Sequence, residues 1–161
     1  MATRFVFTPN AAEFPASNFP ALLLSNRRPV LAYDAATQET AYWTAVAPQG
    51  LTGTITAVIT YAMASATSGS IDFEVAVEAI TDGDSTDTDA TTSFDSVNSQ
   101  SATVPGTAGY IDQVSVTLTN ADSLAAADYF RLSVSRDADD GTNDTATGDL
   151  YLLAVELRDG A

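Results

Sequence analysis

In 161 residues and 16.7 kDa the chain carries 21 acidic side chains against 6 basic ones, a formal charge of −15 and a pI of about 4.1, while 45% of its residues are hydrophobic. That is the length of one domain, with enough apolar material for a core, which argues against disorder. There is no Cys and no His, and every positive side chain is an arginine (Arg4, Arg27, Arg28, Arg131, Arg136, Arg158), so disulfides, thiol nucleophiles, Cys or His zinc sites, Ser-His-Asp triads and catalytic lysines are closed to it.

Charge filters partners as well. Fifteen net negative charges repel a phosphate backbone or an anionic lipid surface, and the six arginines are spread from residue 4 to residue 158, so neither nucleic acid nor a membrane is an expected partner. No apolar run approaches the roughly 20 residues of a transmembrane helix. The longest near the start, Ala21 to Leu24, is too short for a signal-peptide hydrophobic region, and Met1-Ala2-Thr3-Arg4 reads as a cytosolic start. A cysteine-free chain suits a reducing cytosol or a particle that persists outside the cell.

Along the chain the hydrophobic period is two. Residues 4–8 are a short strand candidate. Residues 9–28, with Pro9, Pro15, Pro20, Phe14, Phe19 and the run Leu22, Leu23, Leu24, are too proline-broken for a helix and too apolar for a linker. They read as a strap over their own sandwich or as an arm on a neighbouring subunit, which divides the chain into an N-terminal strap or arm, 1–28, and a single β-sandwich domain, 29–161. Further short strands are expected at 29–33 and 42–46. From 54 to 62, Ile55, Ala57, Ile59 and Tyr61 share one face and Thr54, Thr56 and Thr60 the other. Ile71, Phe73, Val75, Val77 and Ala79 then alternate with Asp72, Glu74, Ala76 and Glu78, and the turn-rich 65–69 between these strands suggests a hairpin. After an Asp-, Thr- and Ser-rich loop at 81–100 come strand candidates at 101–104, 113–118 and 130–135. A second acidic loop, 137–149, leads to a last strand with Tyr151, Leu153, Val155 and Leu157 inward. Eight to nine strands and no helix-period stretch longer than 120–127 define an all-β, antiparallel two-sheet β-sandwich, jelly-roll-like.

Three constellations bear on chemistry. Asp82, Asp84, Asp87 and Asp89 place four carboxylates within eight residues, a set that a calcium ion accepts if the loop curls around it; solvated turns account for the same composition. Asp137, Asp139, Asp140, Asn143 and Asp144 form a similar set without EF-hand spacing. Asp72 and Glu74, about 6–7 Å apart on a strand, approach a glycosidase pair, yet nothing in the sequence supplies the desolvation that would raise one pKa, so a solvated charged face is the expectation. No catalytic residue and no obligatory cofactor is therefore assigned. Tyr42 and Trp43 point to opposite faces of one strand; an exposed aromatic there would suit a carbohydrate-binding jelly roll, but Trp43, the only tryptophan, is expected in the core. Leu150 and Leu152, on the face opposite the inward row, join Leu22, Leu23 and Leu24 as candidate subunit contacts.

As a set, several stretches resemble small sandwich proteins encoded among the virion genes of tailed bacteriophages and prophages: Ala41 to Gly50, Gly53 to Tyr61, Ala64 to Gly69, Gly109 to Asp112, Leu118 to Leu132, and Arg136 to Asp140 up to Thr147-Gly148-Asp149. The resemblance covers most of residues 29–158 and consists of turn and strand motifs. It implies a non-enzymatic structural protein of the virion, made in the host cytoplasm: a capsid decoration or head-fibre part, acting as a homo-oligomer on the major capsid or another virion protein. The trimer number comes from that resemblance alone. One departure is Ala127, where a glycine is expected before the strand; with alanine there, an open or type I turn is the expectation.

Overall fold

Period-two patterning becomes two antiparallel sheets packed as a sandwich, in a computed structural model that describes residues 1–90 and 92–160. Ten strands form among the described residues: β1 Ala2–Phe7, β2 Ala21–Ser25, β3 Arg28–Tyr33, β4 Glu39–Val46, β5 Ile55–Met63, β6 Ser70–Ile80, β7 Asn98–Thr103, β8 Ile111–Leu118, β9 Tyr129–Arg136 and β10 Leu150–Asp159. One sheet has the order β2-β3-β10-β5-β8, with β1 also paired to β10, and the other the order β4-β9-β6-β7. The 120–127 stretch is turn, not helix, and the helical residues described are the single 3-10 turn Pro9–Ala11.

Residues 1–28 are built into their own sandwich. β1 pairs with the C-terminal half of β10, Phe5 opposite Leu157 and Phe7 opposite Val155, while β3 pairs with its N-terminal half. Glu13 makes a two-way backbone bridge to Tyr42. β2 and β3 form a hairpin whose turn residues, Asn26 and Arg27, both have positive φ, 47° and 68°, as a two-residue type I′ connection requires. The boundary expected at residue 28 therefore falls inside a hairpin.

The hairpin expected between 54–62 and 71–79 does not form: β5 and β6 belong to different sheets, and residues 64–69 cross between them. Gly69 makes that crossing possible. It has φ +92°, and a Cβ on it would stand 2.9 Å from the Ala146 backbone, so no other residue fits without moving the 137–149 loop.

The core follows the predicted rows except at the start of β10, where Tyr151, expected inward, is half-buried and lines the outer face. Ile55, Ile59, Phe73, Val75, Val77, Val116, Leu132, Val134 and Val155 are buried as expected, but Leu153 is half-buried. On β10, Leu152 faces Tyr61 and Ala154 faces Thr60, leaving Leu153 as an extra, bulged residue. A bulge reverses the phase of a strand. Leu150 and Leu152 therefore point inward before it, Val155 and Leu157 after it, and all four are enclosed. Leu150 and Leu152 are core residues of their own chain, not subunit contacts.

Ala127 also departs from expectation. It adopts φ 73°, its N–H donating to the Ala47 carbonyl at 2.9 Å, so the turn is left-handed there and not an ordinary type I. An L-residue with a Cβ is strained in that region. Ala127→Gly is expected to raise the unfolding free energy by about 0.5–1 kcal/mol, the relief being partly offset by the freer unfolded chain. Urea denaturation of the two proteins measures it, and a lower midpoint for the glycine variant would contradict the strain.

Candidate functional site

On the outer face of the four-stranded sheet, strand alternation places polar and aromatic groups side by side. In β4, Ala41 and Trp43 turn inward, and Trp43 is buried with its indole N–H donating to the Thr8 carbonyl at 3.0 Å. Tyr42 therefore turns outward, where its ring stacks on Phe94 at 5.6 Å between centroids. Arg131, across the sheet on β9, lays its guanidinium 4.9 Å from the Tyr42 ring centre and 5.3 Å from that of Phe94. Its Nη1 also lies 3.4 Å from the Glu78 carboxylate, which accepts the Ser93 N–H at 2.5 Å.

Two hollows flank this arginine. One, about 300 Å³, is walled by Glu13, Phe14, Pro15, Tyr42, Thr92, Phe94 and Arg131. The other, about 140 Å³, is walled by Glu78, Ile80, Thr88, Tyr129 and Arg131. Phe14 and Phe19, both partly exposed, pack on one another at 5.5 Å, and Phe14 walls the first hollow. The result is a surface groove lined by aromatic rings and charged groups, the mix found in small-molecule sites. The opposite sheet has a hollow of about 420 Å³ over Val30, Ala62, Tyr151 and Leu153, rimmed by Arg28 and Ile111. It is larger but mainly aliphatic, with Tyr151 as its ring.

The carboxylates of β6 are not a solvated face. Asp72 and Glu78 are buried, and Glu74 accepts a hydrogen bond from the Gln38 amide at 2.6 Å. Glu78 is committed to Arg131 and Ser93. Desolvation holds the Asp72 carboxyl above the usual range, with Glu74, Asp140 and Asp144 adding repulsion. Asp137 is pushed up to about 6, first by desolvation and then by its hydrogen bond to the Asp139 carboxyl and by neighbouring charges. Asp140 is lowered by hydrogen bonds from the Thr142 N–H, then from Asn143.

Asp82, Asp84, Asp87 and Asp89 lie in an exposed loop at the other end of β6, and no three of them bring oxygens within 4.8 Å of one another. Asp84 caps the Thr81 N–H and Asp87 the Asp89 N–H, the turn chemistry that composition alone suggests. Leu22, Leu23 and Leu24 are 48%, 45% and 75% exposed on β2, an edge strand with β3 on one side. Phe94, Arg131 and Glu13 had no sequence signal as a group. Only the outward phase of Tyr42 was legible.

No protein-family model matches this sequence, and no curated protein sequence matches it. Solved structures do match the fold. The CBM35 of Paenibacillus barcinonensis aligns over 97% of this chain and 99% of its own, with 13% identity and a TM-score of 0.50. The CBM22-1–GH10 modules of the Clostridium thermocellum endo-1,4-β-D-xylanase 10B, complexed with xylohexaose, align over 99% of this chain with 12% identity and a TM-score of 0.50, and this chain spans 29% of that one. The fold is thus the jelly-roll sandwich of carbohydrate-binding modules.

Proposed function

We propose that this protein is a non-catalytic glycan-binding module that uses the groove around Tyr42, Phe94 and Arg131. The observation that carries the reading is the coincidence there of aromatic rings, hydrogen-bonding side chains and an open hollow of about 300 Å³ on a sheet face. Sugar rings present C–H faces that stack on aromatic rings and hydroxyls that bond to carboxylate and guanidinium groups. Similarity of fold to carbohydrate-binding modules, one of them solved with a xylo-oligosaccharide, supports the ligand class. The charge of −15 narrows it: acidic glycans are repelled, so a neutral polysaccharide is the ligand class.

Affinity electrophoresis through gels containing neutral or acidic polysaccharides tests this. Retention is expected in at least one neutral gel, and Tyr42→Ala should weaken it about tenfold, some 1.4 kcal/mol, while Tyr151→Ala on the opposite sheet leaves it unchanged. Loss in Tyr151→Ala instead would move the site to the other face, and no retention in any gel would sink the reading.

The exposed β2 edge, with three leucines and an unpaired backbone side, favours a second reading: a self-associating structural part of a virus particle, attached to a capsid protein. A chain that sediments as an oligomer and ignores every glycan would support it.

A further inference from the structure

The fold gathers a set of carboxylates that neither the sheet nor the groove uses. Phe73 of β6 pairs with Arg136 of β9, so the chain leaves β9 directly beside Asp72, and the Asp137 N–H donates to the Asp72 carbonyl at 3.0 Å. A tight turn follows, Asp140 N–H to the Asp137 carbonyl at 3.1 Å, and it folds Asp140 back over the same spot. One oxygen each from Asp72, Asp137 and Asp140 then lie within 4.8 Å of one another. Asp140 is held in place by the Thr142 N–H and the Asn143 amide, at 2.9 and 2.8 Å.

An acidic cluster alone does not make a site. The independent observation is Asp72, which is only 5% exposed, yet its carboxylate accepts no hydrogen bond and meets no arginine among the described residues. A buried, unpaired carboxylate is costly unless something neutralises it. The nearest cation cannot: Arg136 is fully buried and bound bidentately to Asp144 at 2.8 Å for both contacts. Glu74 and Asp139 add further negative charge beside the cluster.

We infer that Asp72, Asp137 and Asp140 hold a divalent cation of the calcium type. Calcium takes six to eight oxygens at about 2.3–2.6 Å, so two oxygens on opposite sides of one ion stand up to roughly 5 Å apart, which the trio satisfies. Water fills the remaining positions on the open side, and the irregular set suits calcium better than magnesium, which demands near-octahedral geometry. The ion ties β6 to the start of the 137–149 loop. It sits at the opposite end of β6 from the Asp82 to Asp89 loop.

The test is calorimetric titration of the chelator-treated full chain with calcium chloride, alongside thermal melts with and without calcium. One calcium per chain and a higher melting midpoint are expected. Asp72→Asn should weaken binding about tenfold or more and abolish the calcium-dependent shift, while Asp84→Asn leaves both unchanged. Should Asp72→Asn fail to fold, Asp140→Asn serves in its place with the same expectation. No heat and no shift at millimolar calcium, binding that survives both substitutions in the trio, or binding lost in Asp84→Asn would each overturn the assignment.

Discussion

Replacing Arg136 with alanine is expected to lower the unfolding free energy by about 3–5 kcal/mol, because it strands a buried carboxylate. Arg136 is completely enclosed, and each of its N–H groups has an acceptor: both Asp144 oxygens at 2.8 Å, and the carbonyls of Asp34, Gly148 and Ala146 at 3.3, 2.9 and 2.8 Å. Asp144 in turn accepts the Asp72 N–H at 3.2 Å. One side chain thus fixes the 34–38 turn, the 137–149 loop and the start of β6. Lysine keeps the charge but loses the planar fork, so Arg136→Lys should recover little of the loss. Urea denaturation of the three proteins gives the comparison. An alanine variant within about 1 kcal/mol of the parent would mean that the loop reorganises and lets Asp144 out to water.

The second large effect belongs to the centre of the sandwich. Phe73 is fully enclosed, its ring edge-on to Tyr61 at 5.8 Å between centroids, where the two sheets meet. Phe73→Ala removes that contact and leaves a cavity between layers that cannot both close over it, at a cost of about 3–5 kcal/mol. The same denaturation experiment measures it. A cost below about 1.5 kcal/mol would indicate a core loose enough to collapse, contrary to the enclosure described.

These two residues mark what a sequence does and does not disclose. Phe73 was legible because β6 alternates cleanly and a slip of one residue would expose its whole apolar row. Arg136 sits in the same phase as Phe130, Leu132 and Val134, so period two alone points it inward; its charge argued for the surface, and only the distant Asp144 and three loop carbonyls make burial tolerable. Leu150 and Leu152 illustrate a different failure. Both faces of β10 are apolar at its start, and the bulge at Leu153 that decides between them is a matter of pairing with β5, invisible in one strand. β2 went unseen since its three consecutive leucines have no alternation, and the placement of β5 and β6 in different sheets replaced the hairpin that sequence proximity suggested.

The candidate site was legible in part. Alternation around Trp43 correctly sent the tryptophan inward and left Tyr42 outside, but Phe94 comes from a polar loop 52 positions further on and Arg131 from another strand, so the groove exists only after folding. The carboxylate trio shows the same thing in reverse. Local density drew attention to Asp82, Asp84, Asp87 and Asp89, whereas convergence occurs where Asp72 on a strand meets Asp137 and Asp140 on a loop.

If the groove of the four-stranded sheet binds a glycan, amide and arginine side-chain NMR shifts recorded during titration with a retained neutral oligosaccharide locate it directly. The largest changes are expected at Tyr42, Thr92, Phe94 and the Nε–H of Arg131, saturating together with one dissociation constant. Changes confined to Arg28, Ile111 and Tyr151, or none at all at saturating sugar, would contradict a binding groove on the four-stranded sheet.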